Sequence, residues 1–156
     1  MPNYKGHVAG GIATFFGLVY VAGKQHAHVF VLAQWFVFTI LGALFPDVDI
    51  HSKGRKIFFR VLLAALIYFV LKQDFQACIL VIAMGLIPFC VRHRGIFHNV
   101  WFIAACTAIP VIYAQMYHNA YSYYVRWDAL FFGFGALSHL LLDFGLIRFF
   151  KRTFGL

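Results

Sequence analysis

Six runs of apolar residues alternate with short polar breaks along the chain. Most runs lie near or above the lower limit of about 17 residues for a helix that crosses a bilayer. The breaks are short, so neighbouring helices are expected to run antiparallel with little protein outside the membrane. The pattern predicts an all-α fold, a polytopic membrane helical bundle of about six transmembrane helices with short loops, over residues 7–23, 29–46, 57–71, 75–91, 97–116 and 128–147.

The composition agrees with this pattern, because 63% of the residues are hydrophobic against roughly 45–50% in soluble domains. We expect a single integral membrane domain over residues 1–156. The first run is predicted to be a retained helix and not a cleaved signal peptide. The three cysteines lie in apolar runs without CxxC spacing, which indicates neither a disulfide framework nor a thiolate zinc site.

Basic residues are distributed unequally between the two sides of the predicted bundle. With six spans, both termini and the loops 47–56 and 92–96 fall on one side, which carries ten of the thirteen Lys and Arg residues. The positive-inside rule therefore predicts a multi-pass inner-membrane protein with cytoplasmic N- and C-termini. Insertion alone accounts for these charges and no nucleic-acid motif accompanies them, so a nucleic-acid partner is not predicted.

Aspartate and histidine follow the same partition, although no charge rule requires it. All five acidic residues are Asp, and Asp74 and Asp128 are the two predicted on the opposite face. The outer halves of the spans offer little beyond threonine and glutamine, with no acid expected inside a helix there. The basic face collects the other members: Asp47, Asp49, Asp143, His7, His51, His93, His98 and His139. This segregation predicts a shared polar site near the cytoplasmic face.

The segment "LSHLLLD" places His139 and Asp143 four residues apart, on one face of a helix. Counting back from Arg148 at about 1.5 Å per residue, they lie some 13 Å and 8 Å below the helix end. An ionised Asp near the bilayer centre costs roughly 2.5–3.5 kcal/mol and usually pairs, faces a cavity or binds an ion. A helix-packing hydrogen bond, with Ser138 as partner, is the alternative interpretation.

The segment "FPDVDIH" contains two further carboxylates directly after an apolar run. Pro46 is expected to end the second helix, and in extended chain beyond it Asp47, Asp49 and His51 would point the same way. Two carboxylates so close repel each other unless a cation neutralises them, so they suit a divalent metal. A capped turn in which the Asp side chains accept backbone N–H bonds is the alternative.

The segment "VRHRGIFHN" supplies Arg92, His93 and Arg94 before a glycine turn, and His98 is expected to open the fifth helix. Arginine offers planar donors for a phosphate or carboxylate, and neutral imidazole is a common metal ligand. With a histidine just inside the first helix, the candidate ligands form a set of nitrogen and oxygen donors: His7, Asp47, Asp49, His93, His98, His139 and Asp143.

Seven donors are too many for one tetrahedral zinc and fit two divalent metal ions that share a carboxylate. The affinity order favours zinc, while manganese or iron would accept the same ligands. In a hydrolase, water activated by the metals would attack the substrate, and Asp49 or His98 would move protons. Arg92, Arg94 or a basic residue of the 53–56 loop would hold phosphate oxygens.

At these residues the sequence resembles the YdjM-type family of membrane-bound metal-dependent hydrolases, whose name is associated with LexA binding. The matching segments are "GHVAGG", "FPDVDIHSKGRK", "HRGIFH" and "LSHLLLD", in the family's order over residues 7–143. Ile50 stands between Asp49 and His51, where the family usually has His directly after the second Asp. The resemblance implies a metal-dependent hydrolase and the same seven functional positions.

Three functions are compatible with such a site. The first is a membrane-embedded hydrolase that acts on a membrane lipid or a lipid-linked or amphiphilic phosphoester. The second is a metal or proton transporter, since intramembrane Asp and His also line ion paths. The third is a non-catalytic membrane protein with a structural metal and a cytoplasmic protein partner. The apolar outer half disfavours transport, and an open coordination position would favour catalysis over a structural site.

Overall fold

The computed structural model describes residues 3–23, 27–48, 53–71, 73, 75–90, 96–116 and 122–154. Over these residues the chain forms six α-helices, one short 3-10 turn at Phe45–Asp47 and no β-strand. The all-α prediction is confirmed, and each apolar run overlaps one helix, with ends that differ by up to seven residues. The helices are α1 Tyr4–Val21, α2 Val29–Leu44, α3 Lys53–Leu71, α4 Phe75–Cys90, α5 Val100–Met116 and α6 Ser122–Phe154.

Two segments among the described residues, Val29–Asp47 and Ser122–Gly145, are long and apolar enough to cross a membrane. Helix α5 is also apolar but slightly shorter, at 17 residues. Soluble monomers rarely expose large contiguous apolar patches, yet α3 and α4 expose many large apolar side chains. Examples are Leu63, Ile67, Tyr68, Ile79, Ile82 and Leu86. The number of six spans stays a prediction.

Helices α2 and α6 make the most extensive contact in the bundle and cross with their backbones touching. A Cβ atom at Gly42 would overlap the carbonyl oxygen of Phe132, and one at Gly135 would overlap that of Thr39. Small residues permit this close approach between membrane helices. The crossing brings Ala43, which is fully buried, against α6 at the level of the polar residues described below.

The other helices are arranged around this pair. Helix α1 packs against both α2 and α6, α5 packs against α6, and α3 pairs mainly with α4. A core of aromatic side chains from Phe45, Phe58 and Phe97, each at most 1% exposed, joins the 3-10 turn to α3 and to the segment before α5. This core therefore holds three chain segments at the same end of the bundle.

The expectation of an extended chain after Pro46 is wrong at Asp47, which lies in the 3-10 turn. The backbone N–H of Val48 donates to the carbonyl oxygen of Phe45 at 3.1 Å, and Val48 itself has helical dihedral angles. Proline suits the start of a helical turn, because its φ is preset and its missing N–H would have no partner there. Burial of Phe45 and Val48 holds the turn, which directs Asp47 back toward α6.

Helix α6 contains a break at Gly145, where φ is 68° and ψ is 161°. This backbone conformation is essentially restricted to glycine. The break ends the apolar span and separates it from the segment that runs to Phe154. At about 1.5 Å per residue, Asp143 and His139 lie about 3 Å and 9 Å from the break. The count from Arg148 therefore crosses a break in the helix, and the depth of the two residues in the membrane stays a prediction.

Candidate metal centre

His139 and Asp143 share one face of α6, as their spacing predicts. The distance from His139 Nε2 to Asp143 Oδ2 is 3.4 Å, and the two side chains are 1% and 3% exposed. The alternative interpretation was a helix-packing hydrogen bond to Ser138. The hydroxyl of Ser138 instead donates to the carbonyl oxygen of Gly135 at 2.7 Å. The pair therefore faces the bundle interior with its polar atoms directed at other helices.

The ring orientation of His139 is set by α2. Its Nδ1 lies 2.7 Å from the carbonyl oxygen of Ala43. A carbonyl can only accept, so Nδ1 donates and the opposite nitrogen, Nε2, faces Asp143 Oδ2 and Asp47 Oδ1, the latter at 3.5 Å. Metal-binding histidines usually donate their second N–H to a carbonyl or carboxylate in this way. Sequence reasoning missed this contact, because the acceptor is a backbone atom supplied by the helix crossing.

His98 brings a second imidazole to the same place. It lies in the turn 96–98, two residues before α5, and does not open the helix as the sequence suggested. Asn99 caps the helix, because its side-chain oxygen accepts from the N–H of Trp101 at 2.8 Å. His98 Nε2 is 3.7 Å from Asp47 Oδ1 and 3.5 Å from Asp143 Oδ2. One donor atom each of Asp47, His98, His139 and Asp143 lies within 4.8 Å of the others.

These separations fit a shared cation better than direct hydrogen bonds. Nitrogen-to-oxygen hydrogen bonds are typically 2.7–3.2 Å long, whereas the four ion-pair distances in this group are 3.4–3.7 Å. Two ligands of a tetrahedral zinc are roughly 3.4 Å apart, given metal–ligand bonds of about 2.0–2.2 Å. His139 Nε2 and Asp143 Oδ1 have no hydrogen-bond partner among the described residues. The residues present therefore fit a divalent metal.

His7 extends this cluster on the buried side. Asn3 caps α1 through its side-chain oxygen, and His7 follows one turn later with 2% exposure. Its ring stacks on that of His139, with centroids 3.7 Å apart and planes inclined by 12°. His7 Nε2 lies 3.5 Å from Asp143 Oδ1. Asp143 thus faces His7 with one oxygen and the other two histidines with the second.

The structure brings together all the predicted ligands that fall within its described residues. These are His7, Asp47, His98, His139 and Asp143. The remaining predicted site residues lie outside the described residues, and their roles stay predictions: Asp49, His51, Arg92, His93 and Arg94. Four chain segments meet at this cluster: α1, the 3-10 turn, the segment before α5, and α6. This meeting agrees with antiparallel helices joined by short loops.

Exposure is unequal across the cluster. The side chains of His7, His139 and Asp143 are at most 3% exposed, whereas His98 is 14% and Asp47 is 22% exposed. The cluster is therefore closed toward the bundle interior and open at the edge formed by Asp47 and His98. An open edge would leave room for water or substrate beside a bound ion, as catalytic metal sites do and closed structural sites do not.

A buried acid also lies in the opposite half of the α2/α6 interface, where none was expected. Asp128 is 8% exposed, and Gln34 Nε2 donates to Asp128 Oδ2 at 2.6 Å. The apolar run suggested that Asp128 marks the outer end of the last span, but α6 begins six residues earlier, at Ser122. The polar and aromatic residues 122–127 concealed this start in the hydrophobic pattern.

The fold and the cluster define an all-helical protein with apolar, membrane-length segments and a buried His/Asp site suited to a metal. The family model of the YdjM inner membrane protein matches residues 1–145, a range that includes every residue of the cluster. The chain therefore belongs to the YdjM inner membrane protein family, which confirms the resemblance found in its motifs. No curated protein and no solved structure shows significant similarity to the chain.

Proposed function

We propose that this protein is a membrane-embedded, metal-dependent hydrolase that acts on a lipid-linked or amphiphilic phosphoester near the cytoplasmic face. The observation that carries the proposal is the convergence of two imidazole nitrogens and two carboxylate oxygens within 4.8 Å. Because the chain belongs to an inner-membrane family, a substrate anchored in lipid would reach this site by lateral diffusion. The substrate and the single membrane domain over residues 1–156 are parts of the proposal.

The cluster supports a dinuclear centre. Asp47, His98, His139 and Oδ2 of Asp143 supply four donors for one metal ion. His7 and the second oxygen of Asp143 begin another coordination site on the buried side. We expect Asp49 and His93 to complete it. Zinc suits these nitrogen and oxygen donors and stands high in the affinity order, and manganese and iron are the alternatives.

Bound divalent metals would supply water with a lowered pKa and would withdraw charge from the ester oxygen. The protein contributes position and proton transfer. Burial of Asp143 and the bond from His139 to Ala43 hold the donors in place, which avoids reorganisation during the reaction. Asp49 is the candidate for moving a proton between the site and the leaving group, and His98, at the open edge, would take this role only where its Nε2 does not hold a metal ion.

Basic groups for a phosphate are expected at the same end of the bundle. The segment 53–56, expected to be a loop, forms the first turn of α3. Lys53 Nζ lies 5.8 Å from the ring centroid of Tyr4, which precedes His7 by less than one turn of α1. A helix N-terminus also favours anions. Together with Arg92 and Arg94, this turn would bind the phosphate oxygens.

The first experiment measures metal content. The protein is purified in detergent without added metal, and metals per chain are determined by mass spectrometry for wild type and for the double variant His139→Ala with Asp143→Ala. We expect one or two transition-metal equivalents in wild type and almost none in the double variant. His28→Ala, an exposed histidine at the start of α2, is the matched control and should retain the metal.

Hydrolysis is then measured with p-nitrophenyl phosphodiesters and with lipid phosphoesters. A wild-type protein that stays metal-free after zinc or manganese is added would overturn the proposal. Metal binding without hydrolysis of any phosphoester would instead favour a structural metal, with a cytoplasmic protein as the partner to be sought. The double variant provides the background rate for both substrate classes.

A transporter is the second candidate, and the buried Asp128 and Gln34 pair is the observation that favours it. Two acidic sites at different levels of α6 could form steps of an ion path. However, Trp35 and Phe131, each 1% exposed and stacked at 5.0 Å, fill the interface between the two sites. Zinc flux into proteoliposomes that is lost in Asp128→Asn would establish transport, and absence of flux would exclude it.

A further inference from the structure

A cleft lies beside His98, between the start of α5 and the end of α6. Its volume is about 110 Å³. The wall from the α5 side consists of Asn99, Val100 and Trp101, and the wall from α6 consists of Phe144, Phe149 and Thr153. His98 belongs to both the cleft and the metal-binding cluster. The cleft therefore adjoins the candidate site at His98.

The break at Gly145 shapes the cleft, because its α6 wall is taken from both sides of that break. Phe144 precedes the break and lies edge-on to the His98 ring, with centroids 6.2 Å apart. Phe149 and Thr153 follow the break and close the other side. A straight helix would carry these two residues along the original axis of α6. The positive φ at Gly145 thus decides that residues 149 and 153 face the start of α5.

Of the seven lining residues, His98, Asn99 and Thr153 are polar, and Val100, Trp101, Phe144 and Phe149 are aromatic or aliphatic. The hydroxyl of Thr153 donates to the carbonyl oxygen of Phe149 at 2.8 Å, and the side-chain oxygen of Asn99 accepts from the N–H of Trp101. The side-chain oxygens of Thr153 and Asn99 are therefore each used in a local contact at a helix end. The remaining walls are aromatic or aliphatic, and such surfaces bind hydrocarbon through burial of about 0.8 kcal/mol per methylene group.

Position and size indicate what can occupy the cleft. Trp101 is 67% exposed at the start of an apolar helix, as is typical of tryptophan at a membrane interface. The cleft therefore opens on the outer surface of the bundle, where lipid lies. Its 110 Å³ is well below the 300–1,000 Å³ of pockets that enclose whole ligands. It is close to the about 150 Å³ that accommodates a benzene molecule. One short hydrocarbon segment fits.

We propose that this cleft binds the hydrocarbon segment next to the scissile phosphoester of a single-chain or chain-anchored lipid substrate. The inference rests on the proposed hydrolase function, because His98 marks where the ester would lie. The first few carbon atoms of the chain pack between Trp101, Phe144 and Phe149, and the rest of the chain extends into the membrane. The cleft would thus make the enzyme selective for chain-bearing phosphoesters.

Binding is tested with 3-bromooctylphosphonate, whose bromine lies within the first few carbon atoms of the chain and quenches tryptophan fluorescence on contact. With wild type in phosphatidylcholine nanodiscs, we expect saturable quenching that disappears in Trp101→Phe. Trp35 is buried, and Trp127 lies toward the opposite end of α6. Thr153→Phe and Val100→Phe fill the cleft and should each abolish the saturable component. Ile109→Phe, at a 61% exposed position on α5 outside the cleft, is the matched control and should retain it.

Selectivity is tested with ethyl and octyl p-nitrophenyl phosphodiesters. Because two or three buried methylene groups correspond to about 10- to 100-fold, Thr153→Phe should lower the octyl-to-ethyl ratio of kcat/KM at least tenfold and leave bound metal unchanged. The inference is overturned if wild type shows no saturable quenching, or if the saturable quenching persists in both cleft-filling variants. If neither diester is hydrolysed by metal-loaded protein, the proposed function fails, while the quenching result still decides whether the cleft binds a chain.

Discussion

His139 and Ala43 are joined by a 2.7 Å contact in which Nδ1 of the imidazole donates to a backbone carbonyl on another helix. Ala43 directly follows Gly42, whose lack of a side chain lets α2 touch α6. The same crossing that packs the bundle therefore orients the central candidate ligand. Its Nε2 faces the carboxylates of Asp47 and Asp143, and all three groups have lone pairs that can bind one cation.

Gly42→Ala is expected to weaken both the fold and the metal site. Its Cβ would overlap the carbonyl oxygen of Phe132, and overpacking of this kind typically costs about 1–3 kcal/mol. Separation of the helices would also carry Ala43 away from His139, so bound metal should fall. The thermal unfolding midpoint in detergent and the metal content per chain measure the two effects.

Gly17→Ala is the control for that substitution. Gly17 is also inside a helix, but no atom of the described residues lies within 4 Å of its added Cβ. Alanine should be neutral or stabilising there, by about 0.5–1 kcal/mol, because it has the better helix propensity. Equal stability and equal metal content in the two variants would show that the crossing does not orient His139.

His7→Ala tests for two metal ions. His7 Nε2 faces Oδ1 of Asp143 on the buried side of the cluster, while the other four candidate ligands lie within 4.8 Å of one another. If that side holds a separate ion, the variant should lose about half of the bound metal, whereas His139→Ala should lose nearly all of it. Mass spectrometry of the purified variants gives both numbers. Full retention of metal in His7→Ala would remove this residue from the ligand set.

Gln34→Leu is expected to destabilise the protein without affecting the metal. Asp128 would remain buried without its amide donor, and an unsatisfied buried polar group costs about 1–3 kcal/mol. The double variant Gln34→Leu with Asp128→Leu should be less destabilised than the sum of the single variants, because the two side chains form a pair. Thermal unfolding of the four proteins completes the cycle, and strictly additive effects would argue against the pair.

Gly145→Ala is expected to impair the cleft more than the cluster. A Cβ at this position meets no described atom within 4 Å, so the cost of about 1–3 kcal/mol comes from the backbone conformation alone. Relief of that strain would turn Phe149 and Thr153 away from His98. We expect normal metal content with reduced hydrolysis of the octyl diester relative to the ethyl diester. Unchanged selectivity would show that the break does not shape the binding cleft.

The sequence by itself determined the helical class and grouped those members of the polar cluster that the structure describes. Long apolar runs have few alternatives to helices, and short connections between antiparallel helices return every second chain break to the same end of the bundle. His7, Asp47, His98 and the pair His139 and Asp143 could therefore be grouped before any distance was known. The four-residue spacing of that pair also placed both side chains on one helix face.

Only the tertiary structure decided how these groups meet. The turn at Asp47 depends on the burial of Phe45 and Val48, while the carbonyl of Ala43 beside His139 and the buried Asp128 depend on where α2 and α6 touch. Helix periodicity specifies which face a side chain occupies, but the depth of a crossing depends on the volumes of all the residues that pack there. A pattern of apolar and polar positions does not contain that information, because it records local preferences and not the contacts between distant segments.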